Sequence, residues 1–257
     1  MTQLWNQFIF QPMINALLWL YSNLGHSFGL SIIVFTLAVR LVMLPFTRQQ
    51  LRSAKASQEM QPKLAELQKK YKNDKDKLAQ EQMALYREAG INPAGCVVPM
   101  LIQMPVWIGL YQSITTVVPD NPLQLLNLAR HVYLSFSHLL PLNSNFLGIN
   151  LGHPFVPMAV LVVLTQWLLQ RMMTPVANTP EQAAQNRSME FTMPLVFGMI
   201  TYNLASGLGL YFLTSNIASM VQQYFVTGWG SLEPLLASIG LVRKGVPTKD
   251  RGHGPKK

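Results

Sequence analysis

The chain has 257 residues, of which 49% are hydrophobic and 12% charged, about half the charged fraction of an ordinary soluble domain. That balance excludes a disordered tail and disfavours a water-soluble globule, and a single cysteine, Cys96, excludes an internal disulfide and a cysteine-based metal cluster. The formal charge of +9 points to an anionic partner, either nucleic acid or a membrane surface, and its placement decides between them.

Residues 1–39 carry no Asp, Glu, Lys or Arg, and residues 47–89 carry ten basic and six acidic side chains. Residues 112–153 carry one basic residue, Arg130, and the stretch after Val226 carries six: Arg243, Lys244, Lys249, Arg251, Lys256 and Lys257. Alternating uncharged and charged blocks are the pattern of a chain that crosses a membrane several times. A nucleic-acid binder instead sets a basic stripe on a polar domain, so DNA is not an expected partner.

In chain order, residues 4–21 are apolar but interrupted by Asn6, Gln7, Gln11, Pro12 and Asn15. They predict an amphipathic helix lying in the membrane interface, within an N-terminal unit of residues 1–24. No basic n-region or AxA site marks them as a cleavable signal. Residues 28–46 form the first predicted span, about 28 Å long at 1.5 Å per residue. The second covers 93–111, with Asn92 as N-cap, Pro93 in the first turn, and a bend expected from Pro99 and Pro105. Cys96 falls inside it, which excludes a lipoprotein anchor. The third covers 154–173. The fourth, 191–205, is only about 22 Å long and calls for local thinning of the bilayer. Ser206-Gly207 predicts a tight turn, and 208–226 the fifth span. The expected fold is an all-α membrane protein: a five-span core over 25–226 and a basic tail over 227–257.

The Lys/Arg bias places the 47–89 loop in the cytoplasm and the 112–153 loop outside, with the N-terminus outside and the basic tail inside. The 174–190 loop carries little bias: Arg187 is its only basic residue, Arg171 ends the preceding span, and Glu181 and Glu190 balance them. Within the cytoplasmic segment 47–90, Met60, Leu64, Leu67 and Tyr71 recur at helical spacing. Residues 72–76 form a polar turn, and Leu78 and Leu85 begin a matching stripe. Pro62 kinks the first helix or marks its restart. This predicts a cytoplasmic helical hairpin, either a solvated tie between two spans or a mobile docking element for a partner or an incoming chain.

Arg40 is the strongest single signal. It lies about 12 Å below the cytoplasmic end of the first span, judged from its distance in sequence to Arg48. A charge at such depth costs about 2.5–3.5 kcal/mol on insertion scales and normally faces a polar cavity, unless its long side chain snorkels to the surface. Polar side chains recur in the other spans: Thr36 one turn before Arg40, Gln103 in the second, Gln166 and Gln170 in the third. The fifth carries Ser215, Asn216, Ser219, Gln222 and Gln223 along one face. Singly, such groups join helices. Beside a cation with no acidic residue in any span, they predict a wet, positively charged cavity suited to attract a carboxylate for a time. A proton relay or cation path would need buried acids.

Several segments, in order, carry a family resemblance: Phe35-Thr-Leu-Ala-Val-Arg-Leu-Val-Met-Leu-Pro-Phe46, Tyr86-Arg-Glu-Ala-Gly-Ile-Asn-Pro93, Gly95-Cys96, Pro99-Met-Leu-Ile-Gln-Met-Pro105 and Gly207-Leu-Gly-Leu-Tyr-Phe-Leu-Thr-Ser-Asn216. Over about residues 17–224 the chain resembles the YidC-type membrane protein insertases. The resemblance implies insertion and folding of membrane proteins, with or without the Sec translocon. It also implies five core helices around a hydrophilic groove open to cytoplasm and lipid and closed outside. Arg40 falls on the family's groove arginine, Thr36 on the polar position before it, and Gln170 on the groove glutamine of the third span. Phe212 stands where relatives often carry a substrate-contacting Trp or Tyr. The similarity is to the short bacterial form, without a large extracytoplasmic domain and without that form's lipoprotein cysteine.

The expected function is therefore that of a bacterial plasma-membrane insertase with no bond-making chemistry, no metal and no cofactor. The groove set is Arg40, Thr36, Gln103, Gln170, Phe212, Ser215 and Ser219. A client's outer tail is drawn part-way across by Arg40, and its apolar segment leaves between the third and fifth spans, driven by apolar burial. Expected partners are nascent membrane proteins, the lipid bilayer, the ribosome at the tail, the Sec translocon and the signal recognition particle pathway. The rival is a solute transporter using Arg40 as an anion site, but the basic hairpin has no counterpart in the second half, as an inverted repeat would require. An intramembrane enzyme is disfavoured: no Ser/His, Asp/Asp or HExxH set lies in the spans.

Overall fold

The computed structural model describes residues 2–71, 74–88, 97–117, 142–174, 177 and 180–238. The uncharged N-terminus is helical from the start: α1 (Thr2–Trp5), a π-helical turn (Asn6–Phe10) and α2 (Gln11–Asn23). Pro12 lies in the first turn of α2. It donates no N–H and its ring crowds the carbonyl four residues back, and the widened turn just upstream accommodates both effects. Met13, Ile14, Leu17, Leu18 and Tyr21 are buried, whereas Leu4, Phe8 and Trp19 face outward. A short turn with Gly25 and His26 both at positive φ leads into α3 (Phe28–Val42), which packs on α2.

The first predicted span is not one straight helix. It stops at Val42, and α4 (Leu44–Glu59) leaves at 61°. Pro45 explains the break, because it has no N–H to give the carbonyl of Leu41 and its ring pushes that carbonyl aside. The backbone is satisfied around the joint by Met43 N–H donating to Val39 O at 2.9 Å and Thr47 N–H donating to Met43 O at 2.9 Å. α5 (Gln61–Lys70) restarts the helix with Pro62 in its first turn, and packs against α6 (Lys75–Glu88). Leu64 and Ala65 are buried there. Asp74 caps α6 by accepting from Lys77 N–H at 3.1 Å, a side-chain acceptor for an otherwise orphaned amide.

The second predicted span is α7 (Val97–Val117), which carries Pro105 in its interior and runs on past residue 111; Asn92, Pro93 and Cys96 lie outside the described residues. A two-residue hairpin, β1 (Asn145–Phe146) and β2 (Ile149–Asn150), precedes α8 (Val156–Met173). Among the described helices, α8 alone has the length and hydropathy of a span, and α3 with the start of α4 qualifies only as a bent pair. The fourth predicted span is the apolar end of a longer helix, α9 (Pro180–Asn203), whose first half is polar. The Ser206-Gly207 turn is also displaced. Those residues begin α10 (Ser206–Thr227), and the chain turns just before them. A 3₁₀ turn (Gly230–Leu232) and α11 (Glu233–Ser238) follow.

The start of α10 is fixed from outside. The N–H groups of Ser206 and Gly207 donate to the carbonyls of His153 and Leu151, at 3.0 and 2.9 Å. The Ser206 hydroxyl donates to Asn150 O at 2.9 Å. Helix N-terminal amides need such acceptors. α10 then runs between α3 and α8, and α9 packs on α8. Gly209 allows the closest approach: a Cβ there would lie 2.5 Å from Met158 Cγ and 2.7 Å from Thr201 Cγ2. The inner faces bury Phe28, Ile32, Leu110, Ile114, Val162 and Leu208. The outer faces are apolar too, with Leu41, Leu195, Met199 and Phe225 exposed. A large apolar exterior over an apolar core suits a lipid solvent rather than water.

Candidate functional site

Arg40 lies in the last turn of α3, just before the bend. Its Nε donates to Ser215 Oγ at 3.1 Å, and a terminal nitrogen donates to the same hydroxyl. Ser215, buried in α10, also hydrogen-bonds Tyr211 one turn earlier. The Tyr211 hydroxyl in turn accepts from Gln103 Nε2 of α7. A continuous polar chain, Gln103–Tyr211–Ser215–Arg40, thus links α7, α10 and α3. Among the described residues the ion pairs are Lys77–Asp74 and Arg171–Glu190, so no carboxylate neutralises Arg40 and its partners are hydroxyls.

The structure brings Arg40, Gln103 and Ser215 together from the predicted set. Ser219 sits one turn further along and returns its hydroxyl to Ser215 O at 2.8 Å. Thr36 is buried, but its hydroxyl donates to Ile32 O of its own helix at 2.6 Å. It shapes the wall rather than offering a free donor. Gln170, near the end of α8, is not hydrogen-bonded to Arg40, and its carbonyl accepts from Thr174. Phe212 is buried in an aromatic cluster, 5.6 Å from Trp107 and 5.2 Å from Phe197 between ring centroids. Sequence reasoning missed Tyr211. The signal was present, since 211, 215 and 219 repeat every four residues and extend the serine stripe back by one turn.

Two seams differ in character. Between α8 and α10, the third and fifth predicted spans, packing is close and Asn216 Nδ2 donates to Thr165 Oγ1 at 3.2 Å. That seam is closed in this structure. Between α7 and α9 the described residues pack more sparsely; Trp107 and Phe197 lie across the seam with ring centroids 6.3 Å apart. A side-chain hydrogen bond ties the first seam, whereas ring contact bridges the second.

The profile of the 60Kd inner membrane protein family matches residues 19–231. A membrane protein insertase YidC of Syntrophus aciditrophicus (strain SB) is 33% identical over 222 residues, 86% of this chain and 37% of that protein. One of Oceanobacillus iheyensis is 33% identical over 236 residues, 87% of this chain and 83% of that protein. The chain thus spans little over a third of the first relative and most of the second. Among solved structures, an active YidC insertase with its first transmembrane domain resolved superposes with a TM-score of 0.56. It shares 25% identity and is covered over 85% of this chain and 45% of that one. These likenesses agree with the half-buried arginine on α3: the chain belongs to the 60Kd inner membrane protein family, the YidC-type insertases that its motifs resemble.

Proposed function

We propose that the protein inserts and folds nascent membrane proteins in a bacterial plasma membrane, without bond-making chemistry. One observation carries the reading: Arg40, in an apolar helix, is held only by neutral groups. A cation so placed keeps most of its field for a visiting anion, because hydroxyl dipoles orient it without cancelling its charge. A client's acidic outer tail is drawn along the groove toward Arg40, and its apolar segment then moves into lipid. The sparser packing between α7 and α9 supports an exit there. The Arg40–Ser215–Tyr211–Gln103 chain fixes the charge, while the ring cluster of Trp107, Phe197 and Phe212 closes the far side to water. The groove set remains Arg40, Thr36, Gln103, Gln170, Phe212, Ser215 and Ser219, with Tyr211 added.

Purified protein in vesicles separates the readings. Insertion of a labelled single-span client without uptake of small anions supports the insertase. Anion uptake without insertion supports a transporter and overturns it.

The topology carried by this reading has α3, α7, α8, α9 and α10 as the five spans and the α4–α6 segment in the cytoplasm. In a Cys96→Ser background, single cysteines at Asp74 and Lys249 are expected to label only from the cytoplasmic side, and one at Asn143 only from outside. Labelling of position 74 from outside inverts the scheme. The basic tail, whose residues from 239 on lie outside the described set, is assigned to the ribosome and anionic lipid. Removing residues 243–257 is expected to weaken ribosome co-sedimentation in a salt-sensitive way, as phosphate contacts require. The Sec translocon and the signal recognition particle pathway complete the proposed partners.

A further inference from the structure

A second charged site lies at the opposite end of α8 from the hairpin. The last turn of α8 and the polar half of α9 form an open groove of about 450 Å³. Arg171, Thr174, Asn186, Arg187, Glu190 and Phe191 line it. Arg171 donates to Glu190 Oε1 at 2.6 Å and lies over the Trp167 ring, 5.6 Å from its centroid. That pair uses one arginine and the one glutamate, leaving Arg187 as the excess positive charge on the groove wall. Arg187 is exposed. The rim is held in place by Ser231, which donates its hydroxyl to Thr174 O at 2.7 Å.

What leads away from the groove is apolar. Phe191, Leu195 and Met199 are 53%, 63% and 70% exposed. They repeat every four residues and so form one strip about 12 Å long on α9, beginning at the groove. Leu161 and Leu164 of α8 are exposed as well. A cationic notch that continues into an outward apolar strip matches the two parts of an anionic phospholipid. Arginine suits the first part, because its planar fork pairs two phosphate oxygens at once.

We propose that this groove is a binding site for the phosphate of an anionic lipid, with Arg187 and Arg171 on the headgroup and the Phe191–Leu195–Met199 strip along an acyl chain. Basic pockets between helices on the cytoplasmic side are a physically suited place for such headgroups. The site is separate from the Arg40 chain. The inference rests on the membrane placement of α8 and α9 and not on insertion, and its test uses no client.

The full chain, delipidated in detergent, is titrated with phosphatidylglycerol and with phosphatidylcholine, and bound lipid is counted by native mass spectrometry. The expected result is one tightly retained phosphatidylglycerol, with Arg187→Gln weakening it about tenfold. Because Arg187 is exposed and outside the ion pair, the variant keeps its fold, checked by an unchanged melting temperature. Arg171→Gln with Glu190→Gln, which removes the pair symmetrically, is expected to weaken it further. Arg87→Gln on α6, an exposed arginine given no lipid role and the same loss of charge, is expected to change nothing. Equal loss from Arg187→Gln and Arg87→Gln, or equal binding of both lipids, overturns the proposal. Competition by inorganic phosphate at the lipid's own concentration assigns the groove to a free anion and overturns the lipid. Retention of an RNA fragment through Arg187 with no phosphatidylglycerol preference also overturns it.

Discussion

Arg40→Ala slows insertion of a client with an acidic outer tail by roughly tenfold or more and leaves a matched neutral-tail client nearly unchanged, whereas Arg40→Lys retains most of the rate. A carboxylate 4 Å from a cation gains about 4 kcal/mol at an effective dielectric near 20. A third of that already corresponds to about tenfold in rate. The guanidinium has five N–H donors. Two of its nitrogens face the Ser215 hydroxyl, which leaves donors for a visiting carboxylate. Lysine keeps the sign of the charge and loses only the fork. The competing account makes Arg40 a clamp between α3 and α10. It expects both clients to slow alike and the amount of folded protein to fall with either substitution. Insertion of the matched clients, normalised to protein level, decides; equal slowing of both by Arg40→Ala rejects the electrostatic role.

Gly209→Leu destabilises the bundle by about 3 kcal/mol, and Gly209→Ala by roughly 1 kcal/mol, at the crowded end of what overpacking costs. The two neighbours respond differently. Met158, 2.5 Å from the new Cβ, is a flexible chain that can turn away. Thr201, 2.7 Å away, is β-branched and its hydroxyl is tied to Phe197 O at 2.8 Å, so it holds its place. For a domain of this size, a loss of 3 kcal/mol lowers the melting temperature by about 6–12 °C. Gly207→Ala is milder, since its neighbours Ile114, Leu151 O and Ile32 stand at 3.2–3.3 Å and need give only slightly. Thermal melts in detergent follow both. A Gly209→Leu protein that melts with the unsubstituted chain removes the close contact of α8, α9 and α10 from the account.

Charge blocks and hydropathy locate most of the helices because lipid and water impose opposite compositions on neighbouring segments. They do not locate ends. Residues 28–46 are apolar apart from Ser31, Thr36 and Arg40, so hydropathy runs straight past Pro45, although the missing N–H forces the helix to break there. The converse happens in α9: hydropathy starts it at Phe191, yet the backbone ladder continues back through polar residues to Pro180. Hydrogen bonding is indifferent to which solvent surrounds the helix. In the candidate site, Arg40, Gln103 and Ser215 are legible because polar groups in apolar helices need partners: Arg40 meets Ser215 directly, and Gln103 meets Tyr211. Tyr211 was hidden by its neighbour Phe212, whose position the family resemblance brought forward. The closed seam at Asn216 and Thr165 depends on which faces of two distant helices meet, and no local pattern records that.

The 61° joint between α3 and α4 sets the geometry of a lever. Arg40 lies three residues before Met43, close to the pivot, whereas Glu59 lies at the far end of a helical arm about 24 Å long. A swing of about 10° at the joint carries that far end through about 4 Å and leaves the arginine nearly where it was, since displacement grows with distance from the pivot. Because α4 packs on α10 and α7 and buries Leu51, displacement of the α4–α6 arm is greatest beyond that contact and smallest at Arg40, which stays on the Ser215 hydroxyl.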